Sequence, residues 1–187
     1  MLPEFIINLR ELYSFNYLNL FMENGITIKQ VSYNNEKQVR LLKACLETWF
    51  KNPKDLNLTA PQMTYPFNFN RWVADSYSKQ NTLTYILKKD DWIIGYMSLQ
   101  LQLQNDFIHL FHLFIDRSFR GKGISKILTQ KAISFAREEN FHTITLFVNP
   151  NNQIAIKLYE SFGFTEIGYN KTGSMKMLLN LKNPKNR

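Results

Sequence analysis

Apolar and polar positions alternate along this chain with two different periods, and the changes of period mark its elements. Ile26–Val31 sets Ile, Ile and Val against Thr, Lys and Gln, a two-residue period that predicts a strand. Asn35 stands at a cap position ahead of Val39, Leu42, Leu46, Trp49 and Phe50, whose spacing is helical, and Asn52-Pro53 ends that helix. Residues 53–68 hold three of the six prolines, at 53, 61 and 66, and read as a loop. A short helix is predicted over Phe69–Ser78. Leu83–Lys89 and Trp92–Leu103 flank Asp90-Asp91 as a hairpin, and Asn105-Asp106 turns into the apolar run Phe107–Ile115. Ile124, Ile127, Leu128, Ala132 and Phe135 then give a second long helical stripe. A strand over 143–148, a helix over 152–162, a strand over 164–169, a turn at Lys171-Thr172-Gly173 and a strand over 174–181 complete the pattern. The expectation is one mixed α/β domain over residues 22–181, without internal repeat or dividing linker.

The flanks read differently. Residues 1–21 are interrupted by polar and charged side chains too often for a membrane span, and lack the basic start of a signal peptide. They are expected to be an appended amphipathic helix, covering the domain or a partner subunit, or a start upstream of a native one at Met22. Residues 182–187 form a polar, basic tail. A chain of 187 residues with 44% hydrophobic and 20% charged side chains suits a globular domain. Its one cysteine, Cys45, excludes an intramolecular disulfide and fits a reducing, cytoplasmic setting. A net charge of +8 favours an anionic partner, whether a nucleotide-like cofactor, an acidic macromolecule or RNA; solvated lysines account for it equally.

The candidate chemistry begins where the Phe107–Ile115 run meets the second helical stripe, through Asp116-Arg117-Ser118-Phe119-Arg120-Gly121-Lys122-Gly123-Ile124-Ser125. Glycines let backbone N–H groups approach an anion, and a helix start offers unpaired donors and partial positive charge. From Arg120 to Arg137 there are five basic residues, at 120, 122, 126, 131 and 137, and no acidic one. A Walker loop is absent, and Lys126 stands where a dinucleotide fingerprint has its third glycine. On this loop alone, an anion site and an ordinary βα turn with two glycines stand level.

Arg120-x-x-Gly123-x-Ser125 resembles the R/Q-x-x-G-x-G/A signature of the GNAT superfamily of N-acetyltransferases, with Ser125 in place of the final Gly or Ala. Further on, Asn152 to Phe164 resembles the family's N-x-x-A-x-x-L-Y-x-x-x-G-F segment, with Asn152, Ala155, Leu158, Tyr159, Gly163 and Phe164 in register. The two motifs occur in the right order and spacing, and with the flanking strands the resemblance covers residues 26–181. It implies a central, mostly antiparallel sheet with flanking helices. It also implies acetyl-coenzyme A as cosubstrate, no metal, and an amine acceptor bordered by the segment after the first strand. Arg120, Gly121, Lys122, Gly123, Ile124, Ser125 and Lys126 are the residues that hold pyrophosphate by this resemblance. The backbone of Leu113, Phe114 and Ile115 pairs with the pantetheine arm, one N–H, from Leu113, faces the thioester oxygen, and Asn152 contacts the arm as well as capping its helix. Tyr159 matches the family's general acid, a phenol of pKa about 10 beside a thiol near about 8.5.

The general base is where the pattern departs. Some members carry Glu five residues before the motif Asn, and Phe147 stands there. Others carry Glu on the central strand, at the position of His109. A histidine titrating near about 6.5 can accept a proton at neutrality, and a plain strand histidine is the equal alternative. Strand phase puts His112 on the opposite face from His109, which argues against a two-histidine metal site. His142 is expected in a surface turn, and Cys45 is too far from the motifs to be a covalent carrier. The function expected is transfer of acetyl from acetyl-coenzyme A to a primary amine, by direct attack in a ternary complex. The alternatives are a non-catalytic acyl-coenzyme A binding module, suggested by Phe147, and, less favoured for want of any RNA-binding motif, a basic RNA-associated protein. A homodimer fits as well as a monomer.

Overall fold

The structure, a computed structural model, describes residues 25–78 and 80–181. The segment 1–21 and the tail 182–187 lie outside the described residues.

β1 (Ile26–Val31) leads into α1 (Glu36–Trp49), where the Asn35 side chain accepts from the Gln38 N–H at 3.1 Å and Leu42, Leu46 and Trp49 turn inward. The loop expected over 53–68 is in part a helix, α2 (Pro53–Thr59). Asn52 accepts from the N–H groups of Lys54 and Asp55, and Pro53 takes the first helical position, where its missing N–H costs nothing. The proline that stops α1 therefore also starts α2. After α3 (Phe69–Ser76) come the hairpin strands β2 (Thr82–Lys89) and β3 (Trp92–Gln102), then β4 (Phe107–Ile115). A short 3-10 turn at Arg117–Phe119 precedes α4 (Ile124–Glu138). β5 (Thr143–Val148), α5 (Gln153–Ser161), β6 (Thr165–Tyr169) and β7 (Met175–Asn180) follow.

Among the described residues seven strands form one sheet in the order β1-β2-β3-β4-β5-β7-β6. Every neighbouring pair is antiparallel except β4 with β5. The β4–α4–β5 crossover is what a parallel pair requires. Each face carries its own core. Ile108, Leu110 and Ile115 of β4 join Ile124, Leu128 and Ala132 of α4, and Ile156 and Tyr159 of α5, on one side. Gly95 lets α4 lie close there, since a Cβ would meet Ile115, Leu87 and Leu128 at 3.0–3.4 Å. Phe114 joins Leu46, Phe50, Leu56 and Trp72 of α1–α3 on the other.

Two irregularities of β4 matter for the site. Its pairing with β5 runs only from Phe107↔Thr143 to Leu110↔Leu146, so the strands part beyond Leu110 and leave that edge of residues 111–115 open. Its pairing with β3 slips between Tyr96 and Ser98, where His112 adopts φ +52° in a β-bulge.

Candidate active site

The glycine loop is a cradle of backbone donors. Gly121 and Gly123 both have φ +75°, in the left-handed region that glycine enters without strain. Gly123 is the N-cap residue of α4 and supplies no side-chain cap. The five consecutive N–H groups from Gly121 to Ser125 have no hydrogen-bond acceptor among the described residues. Unpaired N–H groups at a helix start, with the dipole behind them, can take an anion.

The side chains around the cradle are largely committed elsewhere. Asp55, 4% exposed on α2, accepts from Arg117 Nε at 2.7 Å and from Arg120 Nη2 at 3.1 Å. Arg120 Nε also donates to the Ile115 carbonyl at 2.9 Å, and its guanidinium lies 4.9 Å from the centre of the Phe114 ring. Arg120 thus ties the loop to α2 and takes the Ile115 carbonyl out of the open edge. Lys122 Nζ donates to the Ser118 carbonyl at 3.1 Å. Trp49 Nε1 donates to Asp116 at 2.7 Å, and the same carboxylate caps the 3-10 turn through the Ser118 N–H. Sequence reading missed Asp55, because nothing local marks a helix aspartate as the partner of two arginines more than sixty residues on.

Leu113, Phe114 and Ile115 lie on the open edge, one turn upstream of the cradle. Asn152 accepts from the Ala155 N–H at 3.2 Å and caps α5, leaving its amide group unpaired. Tyr159, 6% exposed, packs against Phe164 at 5.6 Å between ring centres. Its hydroxyl has no hydrogen-bond partner, and no buried side-chain polar atom among the described residues lacks one, so the hydroxyl reaches accessible space. Burial pushes the Tyr159 phenol well above its ordinary pKa, so it keeps its proton. Burial, and then the Asp116 carboxylate, push Cys45 up to about 12, so it stays an unreactive thiol.

The opposite face of the sheet holds the histidines. His109 Nδ1 lies 3.1 Å from Thr145 Oγ1, with the Phe147 ring 5.2 Å away. The bulge overturns the expectation that His112 faces away from His109. The extra residue turns Phe111 and His112 to the same side: Phe111 stacks with His109 and Tyr77, and His112 stacks on Trp72 at 4.0 Å. His112 Nδ1 is 2.8 Å from the Tyr77 hydroxyl. The Nε2 atoms of both rings are unpartnered and, by the argument used for Tyr159, open to solvent. Burial, and then Lys176, lower His109 to about 4; burial, and then His109, lower His112 to about 3. Both rings are neutral at pH 7, so a histidine limb belongs near pH 4 and not near 6.5. His142 is half-exposed and paired with Asp106.

The segment 53–68 borders a cavity of about 320 Å³, lined by Asn57, Pro61 and Gln62, by Asn149 and Pro150, and by the β6–β7 turn at Thr172 to Ser174. Among the described residues no group of three or more His, Cys, Asp or Glu side chains could hold a metal, and no helix is long and apolar enough to cross a membrane.

A profile of the "Acetyltransferase (GNAT) family" matches residues 31–164, and the chain belongs to that family. It is 34% identical over 76 residues to N-acetylaspartate synthetase of Danio rerio, covering 41% of this chain and 27% of that one. It is 33% identical over 97 residues to N-acetyltransferase 8 of Homo sapiens, covering 52% and 39%. The chain thus spans well under half the length of these curated relatives. Its fold superposes on an N-acetyltransferase from Staphylococcus aureus with TM-score 0.66 at 20% identity, covering 84% of this chain and 99% of that one. The spermidine N-acetyltransferase from Vibrio cholerae in complex with CoA and spermine superposes with TM-score 0.65 at 16% identity, covering 83% and 95%.

Proposed function

We propose that this protein transfers an acetyl group from acetyl-coenzyme A to a primary amine, directly, within a ternary complex. One observation carries the reading: the β4 edge opened by the departure of β5 leads, through the 3-10 turn and the glycine loop, to the uncapped start of α4. An extended pantetheine arm can pair with the first, and a pyrophosphate can take N–H groups of the second. The chemistry fits, because a β-strand edge accepts an extended amide chain, and the arm contains two amides. Acetyl-coenzyme A supplies the activated acetyl group when bound.

The chain's own groups then divide by face. Tyr159 of α5, proton-loaded, is the donor this reading gives to the departing thiolate. The amine enters from the face of His109 and His112. An N–H on the open edge, that of Leu113, polarises the thioester carbonyl. Neither histidine is basic enough to hold the proton of an alkyl ammonium, whose pKa is about 10.4. The acceptor therefore reacts from its neutral fraction, and the site supplies orientation and carbonyl polarisation. The relatives' names include a polyamine and an amino-acid acetylation. The acceptor here meets an aromatic floor of Phe111, His109 and Phe147.

The test is thiol release from acetyl-coenzyme A with n-butylamine, spermidine, tyramine and a peptide with a free amino terminus, with the products read by mass spectrometry. Amine-dependent release with matching acetylated product is expected. Coenzyme A binding without transfer to any amine would leave the binding module instead.

A further inference from the structure

The face of the sheet that carries the histidines also carries a closed hydrogen-bond network. Trp72 Nε1 donates to the Tyr33 hydroxyl at 2.8 Å, and Tyr33 and Tyr96 hydroxyls lie 2.7 Å apart. Tyr96 and Tyr77 are 2.6 Å apart, Ser98 and Tyr96 3.3 Å, Tyr77 and Ser98 3.0 Å, and Thr84 and Ser98 3.1 Å. Tyr77 to His112 Nδ1, at 2.8 Å, closes the set. Thr84 and Ser98 are 2% and 0% exposed, so bulk water cannot supply a missing proton deep in the network.

Protons can be counted through it. Seven contacts meet hydrogen-bond geometry, and all seven are filled when each holds one proton. The indole N–H and the hydroxyls of Tyr33, Tyr96, Tyr77, Ser98 and Thr84 carry one each, which makes six. The seventh is supplied when Nδ1 of His112 carries an N–H. The acceptors balance too: Tyr77 oxygen accepts from Tyr96 and His112, Ser98 from Thr84 and Tyr77, and Tyr96 from Tyr33 and Ser98, two each. If Tyr77 instead donated to His112, its own proton would be used there and one of the Ser98 contacts would hold two oxygens with no proton between them. The ring is neutral at pH 7, so a proton on Nδ1 leaves Nε2 bare. That nitrogen is unpartnered and solvent-accessible. It belongs to the residue just before Leu113, on the β4 segment whose edge is open.

We propose that His112, locked as its Nδ1–H tautomer by the Trp72–Tyr33–Tyr96–Tyr77–Ser98–Thr84 network, is the acceptor-binding residue of this site, its Nε2 lone pair taking an N–H of the neutral amine. Holding one N–H fixes where the amine's own lone pair points, which is the orientation that attack on the adjacent thioester needs. The role rests on the acetyl-transfer reading. It differs from that of a general base, the role the family's Glu position suggested for His109, since no net proton is stored on the ring. The bulge is what makes this possible: without the extra residue, His112 would point into the α4 core.

The test has two arms. Nitrogen-15 spectra of the histidine rings in the free protein at pH 7 should show His112 protonated at Nδ1, and Tyr77→Phe, which removes the acceptor of that proton, should release the ring toward the ordinary Nε2–H form. His112→Asn keeps a side-chain N–H for Tyr77, suits the left-handed backbone there and deletes Nε2 together with the ring that stacks on Trp72. It should bind coenzyme A as wild type does and lose roughly tenfold in kcat/KM for the best amine of the panel above, the scale of one neutral hydrogen bond. An active enzyme whose His112 carries its proton on Nε2 overturns the proposal alone. So does a His112→Asn variant with unchanged kcat/KM. A protein that binds coenzyme A and acetylates none of these amines overturns the proposal together with the reading beneath it, whatever the tautomer.

Discussion

The two ends of the opened β4 edge are built from different materials. At the α4 end the groups on offer are main-chain N–H donors, beside two glycines at φ +75° and left unpaired by a helix start. At the His112 end they are side chains drawn from five separate elements: Tyr33 follows β1, Trp72 lies in α3, Tyr77 follows α3, Thr84 and Tyr96 come from β2 and β3, and His112 itself sits in the bulge of β4. A backbone site tolerates change in almost every side chain around it and fails when the backbone turn is altered. A side-chain network is the reverse. One end can thus stay fixed for a constant cosubstrate while the other is re-specified for a new acceptor.

The sharpest break in that contrast is Gly123→Asp. Aspartate tolerates the left-handed backbone, so the fold should persist, but a carboxylate then stands among the N–H groups. Coenzyme A affinity, measured by calorimetry, should fall by roughly a hundredfold or more, about 2.7 kcal/mol or above. Unchanged affinity in a folded variant would remove the phosphate from this loop. Next is Tyr159→Phe, which deletes one unpartnered hydroxyl from a well-packed ring. Turnover should drop by about a hundredfold with coenzyme A affinity intact; wild-type speed would return Tyr159 to the core as packing alone.

Asp55→Asn tests the seam between the two ends. It leaves Arg117 and Arg120 without their buried carboxylate, at a cost of about 1–3 kcal/mol, held down because both guanidiniums reach solvent. Chemical denaturation should show that loss, and coenzyme A affinity should weaken only severalfold. A loss in affinity as deep as that of Gly123→Asp would mean that side chains, not backbone, hold the phosphates.

The smallest effect on turnover is that of pH. His109 and His112 protonate near 6.5 when unfolded but only near 4 and 3 in the fold. Between those values the unfolded chain binds more protons, so stability rises with pH and is lost on acidification from about 6.5 downward. Melts at pH 4.5 and 7 should show that slope, and His109→Ala should reduce it by about half, leaving the His112 share. The acetylation rate, measured between pH 5 and 8, should show no limb near 6.5. A limb there that vanishes in His109→Ala would restore that ring as a titrating base.

Much of this was legible in the linear chain, and the reason is locality. The strand Phe107–Ile115 and the helix start at Ile124 fall where the periodicity puts them, because side-chain period and a glycine turn are properties of a few consecutive residues. The anion cradle and the Asn152 cap are read the same way, since each depends on residues within a single turn. The α2 helix was hidden only because proline both ends one helix and begins another.

What the sequence by itself determined, then, is the order of elements, the glycine loop and the motif that places Tyr159. Only the tertiary structure decided which face His112 looks toward, because one extra residue in a strand reverses alternation for everything near it, and the bulge arises from pairing with β3 rather than from the residues of β4 alone. Only it, too, brought Asp55 under two arginines and five elements into one proton-counted network. Those contacts join residues far apart along the chain, and no local pattern encodes a partner that folding alone brings near.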